Sequence, residues 1–578
     1  MRLFSPVRMP RVIAQRSFLE AVSIRVWNCV AVAIVSLRHT GTVVSGTFDR
    51  TSPSHLQGVL RLVVMSVVLT TVLRTPQVLS QEPQPTAAPR SVAERPWATV
   101  WMSSLGKFLA ACDVIYGSID RLDLADSLED RLTGYNEFRG LDRTAPLGIM
   151  WTWDNVNDPP ATIFLPVHQI DDLLKTATFG IVDYHKVKDD QYEIERPGAP
   201  YHVLVRSGYA LFGEDIPSLH ALRESPERLT RDLRDKYDAV LMLDQRQVPR
   251  EARRAWIDDA RRQLEPWLQQ QDDEPVESAV IRRALGKGVL DGFERLVEDV
   301  QTVLVGVRID RRTYQVQLDL TLQAEPGTTM AAELNRLVVR NSEFTALVNR
   351  EASAGLAINW PLTLLGPDIP AIGGTTVSGR LDLGLQLIGS NWGDMTLVAG
   401  IRGPEANALN IAMPSLLTRM EKSADFTSVK REVAKYRDVV LHQVVPTQVP
   451  DLLQALVPPN VHLIIGQGKQ TVWLVAGPEE TLMERLQAAI DAVADAPETE
   501  KSGSVMQARL SVSKWPAAIP VVDLQDAREG LGDSKDGFSL KVQPVQNGLK
   551  IQLTAEEGLL RVIGHHWARR VDHDASIR

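Results

Sequence analysis

Residues 314–324, YQVQLDLTLQA, set Tyr314, Val316, Leu318, Leu320 and Leu322 in strict alternation with Gln315, Gln317, Asp319, Thr321 and Gln323. Successive side chains of a strand point to opposite faces. Period two with one polar set therefore predicts a sheet packed on one side and wet on the other. Such a sheet is antiparallel, because strands of a buried parallel sheet read as unbroken apolar runs. RLDLGLQLI at 380–388 repeats the pattern. Near the C-terminus, FSLKVQPVQNGLKIQLT carries Asn547-Gly548 between two alternating runs, a strong hairpin signal. Pro544 places its strand at a sheet edge, since proline cannot donate to a ladder.

Helices are written at their own period. From Pro249, PREARRAWIDDARRQLEPWLQQQ brings Trp256, Ala260, Leu264 and Trp267 onto one stripe, with Pro249 suited to the first turn. A polar break, QQQDDEP, precedes a second amphipathic run from Val280 to Val300. The predicted fold class is α+β: repeated two-layer units of antiparallel sheet packed by amphipathic helices. Repetition is read from joins. IRGPEANAL (401–409) and VAGPEETLM (475–483) both run strand, Gly-Pro-Glu, helix, and LFGEDIPSL (211–219) and AEPGTTMAAEL (324–334) are looser relatives. Proline sets φ for the first turn and glutamate offsets the positive helix end. YHVLVRSG (201–208) and VHLIIGQG (461–468) match in histidine, three aliphatics and a turn glycine, which predicts a duplicated strand–turn–strand–helix module.

At 578 residues the chain exceeds one core. The predicted parts are a leader at 1–80, a Pro/Ala-rich linker at 81–98, an α+β unit at 99–235 and a helical pair with hairpins at 236–375. A second α+β unit follows at 376–497, and a terminal hairpin and helix occupy 498–578. The leader holds two apolar runs of twelve residues, Val26–Leu37 and Leu62–Leu73, each short of the ~20 that span a bilayer. Both match the central region of an export signal. The second is followed by Val78 and Ser80, small residues at the −3 and −1 positions of a cleavage site. Residues 1–58 are Arg-rich and without period, and the natural start is expected near Val59 or Leu60. The alternative is a long-leader anchor with Val26–Leu37 as a short first span. The expected location is thus outside the cytoplasm, periplasmic or extracellular, with membrane anchorage or transient membrane association where the leader is retained.

Scarce cysteine does not exclude that compartment, because a large exported domain buries enough surface without disulfides. The net charge is −9, yet residues 1–80 hold nine arginines and only Glu20 and Asp49 as acids. That leaves 54 basic and 70 acidic residues, a net of −16, for 81–578. A body so acidic, with no basic patch, repels phosphate backbones, so no nucleic-acid partner is expected. Cys29 lies in the leader and Cys112 in the body, so no disulfide forms within the body, and Cys112 reads as a small buried hydrophobe.

Motifs for chemistry are sparse. Ser104-Leu105-Gly106-Lys107 and Ser511-Val512-Ser513-Lys514 match the Ser-x-x-Lys of acylating enzymes, but no Ser-Asp-Asn or Lys-Thr-Gly element accompanies them. They read as a solvated helix start and a strand end. His565, His566 and Trp567 with Asp572, His573 and Asp574 suggest a metal site only on paper, since adjacent histidines point apart on a helix. His202 and His462 read as paired structural positions on strands. Gly286/Gly288 and Gly466/Gly468 lack the spacing of a phosphate loop. Asp189-Asp190 and Asp272-Asp273-Glu274 read as solvated loops. Trp151 and Trp153, before Pro159-Pro160, could form a carbohydrate or peptide platform, although core cover at a sheet edge is favoured. No catalytic, cofactor or metal residue is assigned.

SLGKFLAACDVIYGSIDRLDLADSLEDRL, then APLGIMWTW and ATIFLPVHQIDDLLK, resembles secreted proteins of unknown function common in planctomycete-type bacteria. The shared order is signal peptide, Pro/Ala-rich linker and α+β units with a join like that from Pro166-Val167 to Leu173-Leu174. The resemblance covers most of 99–490, implies envelope localisation and transfers no functional residue. The expected function is a non-catalytic binding or scaffolding protein of the envelope, with a protein, peptide or carbohydrate as partner. Alternatives are a secreted hydrolase using Ser104 and Lys107, or a carrier of lipid between sheet and helices.

Overall fold

The computed structural model describes residues 95–123, 126, 138–153, 161–177, 182–195, 200–269, 276–337, 342–361, 380–389, 392–448, 461–496, 503–511, 513–514 and 535–576. The leader, the cleavage region, most of the linker, Pro159-Pro160 and the acidic run at 272–274 lie outside them. The chain is a mixed α+β protein whose described strands pair antiparallel throughout. It divides into two compact units, with 97–102, 110–122 and 232–578 in the larger. Strand β1 (Ala98–Met102) belongs to the larger unit, and helix α1 (Leu105–Gly117) follows it in the chain.

The smaller unit contains β2 (Leu147–Trp151), β3 (Ala161–Pro166), β4 (Tyr184–Lys188), β5 (Gln191–Ile194), β6 (Tyr201–Arg206) and β7 (Tyr209–Gly213). They pair in the order β2-β3-β7-β6-β5-β4. Helix α2 (Ile170–Ala177) joins β3 to β4, and its Leu173 and Leu174 are buried with Val203 and Phe212 in one core. Ser207 and Gly208 turn β6 into β7 with φ of 52° and 78°, the double positive φ of a type I′ hairpin turn. After β7, Asp215 caps α3 (Ile216–Ala221) by accepting the Ser218 amide, and Pro217 sits in its first turn. Ser225 caps α4 (Pro226–Thr230) in the same way.

The larger unit continues with β8 (Ala239–Asp244), α5 (Arg250–Leu268), α6 (Val276–Asp299), β9 (Val300–Asp310), β10 (Gln315–Ala324), α7 (Thr329–Arg336) and β11 (Ala354–Pro361). Next come β12 (Arg380–Ile388), β13 (Thr396–Arg402), α8 (Pro404–Lys422), β14 (Phe426–Tyr436), β15 (Val439–Pro446), β16 (His462–Gln467), β17 (Thr471–Gly477) and α9 (Glu479–Ala494). Strands β18 (Met506–Ser511), β19 (Gly537–Val545) and β20 (Gly548–Ala555) precede the last helix, α10 (Glu557–Ser576). One ladder runs β1-β8-β9-β10-β20-β19-β18-β11-β12-β13-β17-β16-β15-β14.

Two expectations are corrected by this ladder. Strand β19 is no edge, for it lies between β18 and β20. Pro544 is tolerated because β18 pairs only as far as Val542, so no residue of β18 needs an amide from the proline. The second correction concerns the wet face of 380–388. Its polar members Asp382 and Gln386 are 7% and 5% exposed, because Phe344 packs onto Gly384 and Gly400 beside them. A β-carbon at Gly384 would collide with Phe344 Cβ, and one at Gly400 with the ring atom Cε1. Phe344 in turn meets Trp473 edge-on, with ring centroids 5.5 Å apart.

From β13 to β17 the sheet is covered on both faces rather than one. Leu482 and Leu486 of α9 share a core with Trp473, Val475 and Ile464. Met413 and Leu417 of α8 share another with Leu463, Ile465 and Val444. Neighbours 463, 464 and 465 alternate between the two cores, and Leu463-Ile464-Ile465 accordingly reads as an unbroken aliphatic run.

Candidate functional site

Among the described residues of the larger unit, polar side chains converge on Asp319 and on Glu556. The first grows out of the alternation on β10. Register sets Gln317, Asp319 and Thr321 on one face, with Gly306 of β9 and Gln552 of β20 on either side of Asp319. Gly306 carries no side chain, and the Tyr237 ring occupies the space where a β-carbon would stand, 2.5 Å from Tyr237 Cδ1. The phenol thereby reaches Asp319, donating to Oδ2 at 2.8 Å. Lys550 Nζ lies 2.9 Å from the same oxygen, and Gln317 Nε2 donates to Oδ1 at 2.9 Å.

Asp319 is 2% exposed. Burial opposes its charge, but hydrogen bonds from Lys550, Gln317 and Tyr237 outweigh it and hold the carboxyl below the ordinary range. Burial, then the bond to Asp319 and its charge, pushes the Tyr237 phenol up to about 12. At neutral pH the cluster is an ionised carboxylate held by three donors. Neither group is poised for proton transfer, so the arrangement suits an anchor better than an acid–base pair.

The second place gathers strand ends. Glu556, 6% exposed, precedes α10 and accepts the Gly537 amide at 2.8 Å and Arg509 Nη2 at 2.9 Å. Arg350 Nη2 stands 3.5 Å from its other oxygen. Beside it, Ser511 Oγ donates to Asp536 Oδ2 at 2.8 Å, and Lys514 Nζ donates to the carbonyls of Arg350 and Glu351 at 2.8 and 3.1 Å. Burial works against the Asp536 charge, yet the bonds from Ser513 and Ser511 prevail and lower its pKa.

Residues singled out in the sequence are placed as follows. Ser104 is 5% exposed, not a solvated start, and its Oγ accepts the Lys107 amide at 3.1 Å at the head of α1. Ser511 and Lys514 close the strand-end cluster and do not meet as a nucleophile pair. His202 and His462 lie opposite Gly213 and Gly477 on their hairpins, 3.9 Å from Glu193 and 3.7 Å from Glu479. Trp153 is 8% exposed and offers no platform, and Cys112 is buried. Gly286 and Gly288 fall inside α6. Gly466 lies under Val439 and Trp473 as a packing glycine. Asp189 and Asp190 form the β4–β5 turn. His565 and Asp572 lie on α10, where Asp572 pairs with Arg121 at 3.1 Å. The side chains of His566, Trp567, His573 and Asp574 lie outside the described set.

Among the described residues no three His, Cys, Asp or Glu side chains are arranged to hold a metal ion. No described helix is long and apolar enough to cross a membrane. Comparison with known proteins finds no matching family model, no matching curated protein and no matching solved structure.

In the sequence, Asp319 and Lys550 belong to separate alternating runs, and nothing local joins them. Their meeting depends on β10 pairing with β20 from the far end of the chain. The one local signal was an aspartate within an otherwise Gln/Thr polar set.

Proposed function

We propose that this chain is an exported, non-catalytic binding or scaffolding protein of the cell envelope, built on one strand-and-helix module used three times. The observation that carries the repeat is connectivity. Two paired strands, a helix, four further strands and a closing helix make up 147–221, with the last strand returning to pair with the second. The same description fits 380–494. It also fits β9, β10, α7, β11, β18, β19, β20 and α10, with the 380–494 block inserted between β11 and β18. The joins read from the sequence fall at equivalent points, after the second strand (401–409, 324–334) or after the last (475–483, 211–219).

The binding reading is supported by what the reactive side chains do. Ser104 caps a helix, Ser511 and Lys514 tie strand ends together, and Asp319 and Lys550 neutralise each other. A module that is repeated while its polar groups serve as anchors suits presentation of surface better than turnover. Sedimentation of the full chain with isolated cell-wall sacculi, and crosslinking in intact cells, test it. Binding to wall or envelope protein is the expected result. Turnover of an ester, amide or glycoside substrate, abolished by one polar substitution, would overturn it. N-terminal sequencing of the secreted protein tests export, and the mature end is expected at Gln81.

Lipid carriage is the second reading. It is favoured by the apolar face of β10 and β20, where Leu318, Leu320, Leu322, Leu549, Ile551 and Leu553 are all only half-buried. Mass spectrometry of the natively purified protein decides it, co-purifying lipid being the expected result and its absence the refutation.

A further inference from the structure

Strand β14 ends the ladder of the larger unit, pairing with β15 and with no second strand among the described residues. An end strand exposes unpaired backbone groups to any other strand, and bulges and lysines are the usual means of blocking it. Both occur here. Pairing passes from Lys430–Gln443 straight to Ala434–Leu441, so Arg431, Glu432 and Val433 stand opposite the single residue His442. All three are exposed, and Glu432 takes a left-handed φ of 51°, which costs a residue with a β-carbon free energy unless something holds it.

What holds it is the histidine. The Glu432 amide donates to His442 Nδ1 at 3.1 Å, and His442 is 4% exposed. A ring nitrogen that accepts an N–H carries no proton of its own, so the imidazole is neutral with its hydrogen on Nε2. Nε2 is buried with no partner at hydrogen-bonding geometry. The charged groups facing the ring are Arg431 and Glu432 of β14. Glu421 of α8 is tied to Arg431, accepting its Nε at 2.7 Å. The other polar neighbours are neutral: Gln467 of β16 donates to the Asn410 carbonyl of α8 at 3.2 Å, and Asn410 Nδ2 donates to the Gly468 carbonyl at 2.7 Å.

We propose that His442 is an acid-sensitive latch on the β14 bulge: neutral, it accepts the Glu432 amide and keeps the edge blocked, and protonated, it lets the bulge go. A proton taken up from water at Nδ1 converts the acceptor into a donor. Two N–H groups then face each other across one hydrogen-bond length, and Glu432 loses the contact that offsets its backbone conformation. Burial holds the ring's pKa below its ordinary 6.5, with Arg431 acting in the same direction, against the Gln467 side chain and the Glu432 carboxylate. The unfolded chain therefore binds more protons than the folded one as pH falls below that value. Stability from this site is complete above it and lost in acid.

The test is hydrogen exchange of the Glu432 and Val433 amides in the full chain, corrected for intrinsic rates, between about pH 7.5 and about pH 5. Protection is expected to fall at least about tenfold across that range in the natural protein. His442→Asn keeps an acceptor near the Nδ1 position without a titrating group, so its protection is expected to stay constant. Equal pH dependence in both proteins overturns the proposal. Nitrogen NMR of the natural protein supplies an arm independent of any variant. An unprotonated Nδ1 at neutral pH is expected, and a protonated one overturns the latch.

Discussion

Asn335 on α7 and Asn547 in the β19–β20 turn bind each other reciprocally. Asn335 Nδ2 donates to Asn547 Oδ1 at 2.6 Å, and the Asn547 amide donates back to Asn335 Oδ1 at 2.9 Å. The Asn547 carbonyl also accepts the Ala324 amide at 2.8 Å, at the end of β10. One turn residue, with a φ of 53°, is thus tied to a helix and a neighbouring strand. Asn335→Ala is expected to cost about 1 kcal/mol and Asn547→Ala about 2 kcal/mol, the latter losing a residue that tolerates positive φ as well as the bonds. Urea unfolding followed by tryptophan fluorescence reads both. An unchanged midpoint in Asn547→Ala would show that the turn holds nothing.

The anchor at Asp319 predicts an order of effects. Lys550→Met strands a buried carboxylate that keeps two hydrogen-bond donors, and because Lys550 is 31% exposed the loss is set at about 2 kcal/mol. Tyr237→Phe removes one neutral donor while keeping the ring over Gly306, and is expected to cost about 1 kcal/mol. Equilibrium unfolding of the two variants checks the ranking, and a larger loss from Tyr237→Phe would contradict it.

Two aspartates predict opposite pH slopes. Burial raises the Asp382 pKa, working against bonds from Ser342 and the Glu343 amide. Its folded state binds more protons, so its contribution is present in acid and lost as pH rises through the folded value. Asp536 is lowered, so its contribution is present above the ordinary carboxyl value of 3.8 and lost as pH falls through the folded value. Thermal melts across pH are expected to show Asp382→Asn gaining relative to the natural protein toward neutrality, and Asp536→Asn losing. The same sign of change in both would contradict these assignments.

Gly384→Ala and Gly400→Ala each push a methyl group into Phe344, buried at 0% exposure. Overpacking at either is expected to cost about 1–3 kcal/mol, and Gly288→Ala, where a methyl meets nothing within 4 Å, should be neutral or stabilising. Denaturant midpoints of the three variants compare them directly.

Local patterns were legible in the sequence where one element decided the outcome. The alternation of 314–324 gives β10, and VQNGLK gives a hairpin, although the positive φ falls on Asn547 and not on Gly548. Pro249 stands just ahead of α5 as its cap. What escaped were outcomes set by distant partners. Pro544 reads as an edge residue because nothing local reveals that β18 runs alongside and then stops. Asp382 and Gln386 read as solvent-facing because Phe344, which covers their face, lies some forty residues upstream. Glu432 and His442 carry no motif at all. Their pairing arises from a bulge that sets three residues of β14 opposite one of β15, which alternation alone does not record.

Strands β11 and β18 are hydrogen-bonded neighbours, yet a complete run of strands and helices separates them in the chain. The ladder between them closes only after that intervening block has brought its two ends together, which makes the pairing of Ala354 with Leu510 a late and entropically expensive step. During synthesis, β9 and β10 emerge long before β20 exists to cover the second flank of β10. The nascent chain therefore carries an open sheet flank while everything between Ala324 and Gly548 is made, and its folding yield depends on how fast β20 follows.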